Sequence, residues 1–114
     1  MSTAQQAAMI YHSVAITAQR LRDPAAEAAA LCNLGWARYQ AGEYADAGEL
    51  KERALALFEE AGDLWGQANT LHVMAYARRM TKGHAEALGL GERALALYKQ
   101  LGDRLGEANV LGGF

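Results

Sequence analysis

Proline and cysteine are almost missing from this chain, which has 114 residues and one of each, Pro24 and Cys32. A lone cysteine excludes an intrachain disulfide and gives no sign of a secreted, disulfide-stapled domain. Charge of neither sign prevails: 11 Lys and Arg stand against 13 Asp and Glu, for a net −2. A nucleic-acid binder would normally carry a clustered basic excess, so the balance argues against that class, and no nucleic-acid partner is expected. No stretch approaches the roughly 18 apolar residues that a membrane span needs. Residues 1–8 lack the basic start and apolar run of a signal peptide. A cytoplasmic location is the default expectation, and the wealth of Ala, Gly, Leu and Arg suggests a GC-rich bacterial source. Strand-like runs of Val, Ile and Thr are missing too. What remains is dominated by alanine, leucine, glutamate and arginine, which are good helix formers. An all-α chain of single-domain size is expected.

The chain repeats itself at a shift of 40 residues. Gly62-Asp63 falls on Gly102-Asp103, Gly66 on Gly106, Ala68-Asn69 on Ala108-Asn109, and Leu71 on Leu111. Upstream, the run from Glu52 to Leu57 falls on Glu92 to Leu97 without a gap. One further shift brings Asp63, Ala68 and Leu71 onto Asp23, Ala28 and Leu31. Such a period marks stacked supersecondary units.

Each unit reads as two helices. Asp23, Asp63 and Asp103 are placed to cap new helices, because an aspartate accepts from the orphan amides of a first turn. Pro24 follows the first of them, where its missing N–H costs nothing. Gly62 and Gly102 can take the left-handed conformation that closes the previous helix. First helices are expected over 24–40 and 64–81, and second helices over 44–61 and 84–101. The apolar spacing puts Leu31, Leu34, Gly35 and Arg38 on one face, and Ala47, Leu50, Ala54, Leu55 and Phe58 on another. Small residues such as Gly35, Ala47 and Ala54 suit a close helix crossing, with Ala75, Ala87 and Ala94 as the matching set.

The pattern Leu31-x-x-Leu34-Gly35, Gly42-x-Tyr44-x-x-Ala47, Ala54-Leu55 resembles the tetratricopeptide repeat. The join Gly-Asp-x-x-Gly-x-Ala-x-x-Leu resembles the long variety, of about 40 residues rather than 34, found in kinesin light chains and in bacterial NTPase-linked regulators. The second unit departs from the pattern, with Met74-Ala75 for Leu-Gly, Lys82 for the turn glycine and His84 for the tyrosine. The resemblance implies an α-solenoid of antiparallel helix pairs wound as a right-handed superhelix. It also implies a groove lined by first helices, and a protein or peptide as ligand. One domain over 1–114 is expected: an unpaired second helix over 3–21, repeats over 24–61 and 64–101, and the start of another over 103–114. That makes about five helices plus a C-terminal stub, as in a fragment of a longer array.

Catalytic and cofactor chemistry finds little support. Gly89-Leu90-Gly91-Glu92-Arg93-Ala94 matches a dinucleotide fingerprint in letters, but such a motif needs a strand before it and a helix starting at it. Here it lies inside a helix. His12, His72 and His84 occupy unrelated register positions. His84-Ala85-Glu86 resembles part of a deaminase signature without the required Cys-x-x-Cys. Cys32 has no base partner that the sequence nominates. No catalytic residue, metal or cofactor is therefore expected. Arg78, Arg79 and Lys82 end a helix, where they either complement its dipole or anchor an acidic ligand group.

With the core side of the first helices assigned, the opposite side can be read. It carries Ala29, Cys32, Asn33, Trp36 and Gln40 with Tyr39 at the edge, then Asn69, His72, Val73, Tyr76 and Met80 with Arg79 at the edge, and then Asn109. Rings flanked by amides suit an extended peptide, the rings supplying area and the amides bonding its backbone. Asn33, Trp36, Tyr39, Gln40, Asn69, His72, Tyr76, Arg79 and Asn109 are the candidate site. The alternative is that Trp36 and Tyr76 pack against neighbouring helices and widen the core. At the level of the whole chain, a peptide-binding scaffold competes with a self-associating structural module. Met1-headed helix 3–21 exposes apolar residues around much of its circumference, so homo-oligomers through open repeat ends are a further expectation.

Overall fold

A computed structural model describes residues 2–81 and 83–112. Among them are six helices and no strand: α1 (Thr3–Arg20), α2 (Pro24–Gln40), α3 (Tyr44–Ala61), α4 (Leu64–Met80), α5 (His84–Leu101) and α6 (Arg104–Gly112). The all-α reading and the helix pairing hold, with boundaries within a residue of expectation. The expected start of a further repeat after Asp103 is helical. It is a helix of nine residues, because Asp103 Oδ1 accepts from Gly106 N at 2.9 Å and α5 covers Gly106 and Val110. Gly113, Phe114 and Lys82 lie outside the described residues.

Helix ends follow from local chemistry. Asp23 Oδ1 accepts from Ala26 N at 3.1 Å. Ser2 caps α1 in a reciprocal box with Gln5, which no sequence argument anticipated. Gly62 and Gly102 close α3 and α5 at φ of +70° and +71°. At the same register position before α2 stands Arg22, at φ +54°, a conformation that costs a side-chain-bearing residue what it spares glycine.

The chain divides into two compact units, 1–63 and 64–114. In the first, α2 packs on both α1 and α3. Its core gathers Ala8 and Ala15 of α1, Ala28, Leu31 and Leu34 of α2, and Leu50, Ala54 and Phe58 of α3. Gly35 lets α2 approach α3 closely, since a Cβ there would stand 3.3 Å from the Ala47 carbonyl oxygen and from Lys51 Cε. Lys51 is buried, and its Nζ donates to the Cys32 carbonyl oxygen at 2.9 Å. The expected face of α3 thus carries one charged member, and burial lowers its pKa. In the second unit α5 packs on α4 and α6. Ala87 and Ala94 are fully buried. The Tyr98 ring is buried beside Gly106, and its hydroxyl donates to Asn69 Oδ1.

Candidate functional site

In the first unit the side of α2 away from α3 carries the expected residues. Trp36 is 44% exposed. Its ring stacks on Tyr39 with centroids 5.6 Å apart and planes 14° apart. Tyr39 meets Tyr44 edge-on at 5.1 Å, so the aromatic run passes from α2 across the turn to the first residue of α3. Tyr44 is exposed and was missing from the candidate set, because its place in the repeat pattern had assigned it to the fold. The signal was available: Tyr39 and Tyr44 flank a three-residue turn that folds the chain back on itself. Asn33 and Gln40 are exposed, and their carboxamides make no hydrogen bond among the described residues. Cys32 is half-buried.

The second unit treats the same register differently. Tyr76 is 43% exposed, with the Arg79 guanidinium 5.5 Å from its ring centroid, a cation–π geometry. Asn69 is exposed, but its carbonyl is taken by the Tyr98 hydroxyl. His72 is half-buried and meets the Tyr98 ring edge-on at 6.4 Å, and desolvation lowers its pKa. Burial raises the pKa of Tyr98, and the Asp103 carboxylate adds to this. The acceptor on Asn69 and one edge of His72 are therefore committed within the fold. Tyr76 and Arg79 stand together as a ring with a cation above it. Arg78 is drawn to Glu86, at 3.3 Å. Asn109 lies exposed on α6.

A concavity of about 350 Å³ lies in the first unit between α1, α2 and α3. Leu31, Leu34 and Leu50 form its floor, and His12, Glu27, Asp46 and Arg53 stand among its rim. It went unseen in the sequence because each floor residue reads simply as core. Arg38, also on the rim, already binds Glu43 at 2.9 Å. Among the described residues no group of three or more His, Cys, Asp or Glu is placed to hold a metal ion, and no helix is long and apolar enough to cross a membrane.

A family model for the tetratricopeptide repeat matches residues 26–100. The chain belongs to the tetratricopeptide repeat family, a class of helical-pair modules that mediate protein–protein interaction. No curated protein matches it.

Proposed function

We propose that the chain is a non-catalytic docking module whose ligand is an extended segment of another protein, seated on the outward face of α2. The observation that supports this most is the Trp36–Tyr39–Tyr44 run, exposed at Trp36 and Tyr44 and bordered by the unbonded carboxamides of Asn33 and Gln40. Rigid rings offer contact area at small entropic cost, and such residues carry most of the affinity at protein interfaces. The amides offer donors and acceptors to a peptide backbone that has lost its water. Tyr76 and Arg79 form a second, separate contact on α4, suited to an acidic or carbonyl-rich group. The three-helix concavity is the weaker candidate, because its rim is charged with both signs and one of its cations is already paired.

The test is selection from a random peptide library on the intact chain, followed by affinity measurement with Trp36→Ala and Tyr76→Ala. Binding of selected peptides should weaken at least tenfold in Trp36→Ala, about 1.4 kcal/mol or more. Its melting temperature should stay near that of the parent. Early melting with undiminished binding would make these rings core and remove the docking face.

A further inference from the structure

The rings on the outward face of α2 limit what can lie on them. Trp36 and Tyr39 stack with planes 14° apart, and Tyr44 closes the run edge-on. Trp36 and Tyr44, at its two ends, are 44% and 54% exposed. Rings so exposed offer flat faces, which match a flat ring better than a branched aliphatic knob that needs walls around it. The centroid steps of 5.6 and 5.1 Å place the end rings at most 10.7 Å apart. A polyproline II helix turns once every three residues and advances about 9.3 Å in doing so. Residues i and i+3 of such a segment point the same way, at a spacing within the reach of the run. The polar groups agree. The Trp36 indole N–H, the Tyr44 hydroxyl and the carboxamides of Asn33 and Gln40 make no hydrogen bond among the described residues, and all four can donate. Proline has no N–H, and a polyproline II backbone has no internal hydrogen bonds, so such a segment is rich in acceptors and poor in donors. Charge completes the match. Cys32, Asn33, Trp36, Tyr39 and Gln40 of this face are uncharged side chains, and the Arg38–Glu43 pair at the same turn is closed on itself at 2.9 Å.

We infer that the segment docked on α2 is proline-rich and uncharged, held in the polyproline II conformation, with two prolines of a Pro-x-x-Pro spacing laid on Trp36 and Tyr44. The inference rests on the docking face proposed above and adds the class of its ligand. Such a segment is already in its bound conformation and loses little entropy on docking, which offsets the small contact area of three rings. The Trp36 indole, the Tyr44 hydroxyl and the two carboxamides donate to its carbonyls. Every residue of the site lies on α2 or at the start of α3, within one compact unit.

Synthetic peptides of one length test this: repeats of Pro-Ala-Gln, repeats of Pro-Ala-Gln-Ala, which lack the i, i+3 spacing, and repeats of Ser-Ala-Gln, which lack proline. Each is titrated into the intact nitrogen-15-labelled chain, its Trp36→Ala variant and its Tyr44→Ala variant. Both positions are exposed, and circular dichroism checks that helicity is kept. The Pro-Ala-Gln peptide should give saturable shifts in the parent, including that of the Trp36 indole, and the other two should bind at least about tenfold more weakly. Each alanine variant should weaken the Pro-Ala-Gln peptide by about tenfold. Equal binding of all the peptides would overturn the inference, as would no shift with Pro-Ala-Gln repeats up to millimolar concentration. Library-selected peptides keep this inference apart from the docking face itself. Selected sequences that lack proline yet lose affinity in Trp36→Ala would remove the ligand class and leave the face. Selected sequences indifferent to Trp36→Ala would remove the face, and the inference with it.

Discussion

At the scale of single residues, glycine divides into two kinds that the sequence does not separate. Gly89 and Gly106 both stand in helices. A Cβ on Gly89 meets nothing within 4 Å, whereas one on Gly106 would come within 2.7 Å of the Tyr98 Cε1 and Cγ atoms. Gly89→Ala should therefore stabilise the chain by about 0.5–1 kcal/mol, the helix-propensity difference. Gly106→Ala should destabilise it by about 1–3 kcal/mol, the scale of overpacking a well-filled core. Chemical denaturation of both variants checks the pair, and equal effects of one sign would remove the Tyr98–Gly106 packing. The repeat showed that Gly66 and Gly106 share a register position, but not what presses on them. Lys51 and Tyr98 illustrate the same limit. A lysine within an apolar stripe and a tyrosine among leucines have polar ends whose partners, the Cys32 carbonyl and Asn69, lie 19 and 29 residues away. Long-range hydrogen bonds of that kind leave no local pattern.

Among the helices, legibility was high, because each boundary rests on neighbouring residues. Asp23 and Asp103 cap, and Gly62 and Gly102 terminate, for reasons contained within four residues of chain. The faces were legible too: Ala54 and Ala94, assigned to close crossings from spacing alone, are both fully buried. A glutamate at 54 would place an unpaired charge between α3 and α2. Ala54→Glu should cost several kcal/mol, on the scale measured when a buried charge loses its partner, and should abolish the cooperative helical melt. A normal melt would show that the register of α3 against α2 is wrong. The nine-residue α6 draws its stability from α5 and from the Asp103 cap rather than from its own glycine-rich sequence.

For the molecule as a whole, the period of 40 residues gave the family before any contact was known, since a repeat that cannot bury its own face must stack. The candidate site was legible only in part. The outward residues of α2 and α4 could be found by subtracting the core face, but their availability could not. Asn69 and His72 fall on Ala29 and Cys32 in register, and the Tyr98 side chain arriving from α5 is what engages them. The central claim is that α2, through Trp36, is where a partner docks. The chain has two tryptophans, and their indole N–H groups report from different places: Trp36 lies beside Tyr39, and Trp65 donates to Asp103 at 3.2 Å. Titrating the nitrogen-15-labelled chain with a library-selected peptide, while following the two indole resonances, separates them directly. The account predicts a saturable shift of the Trp36 resonance with that of Trp65 unmoved; a bound peptide that shifts Trp65 and leaves Trp36 in place would contradict it.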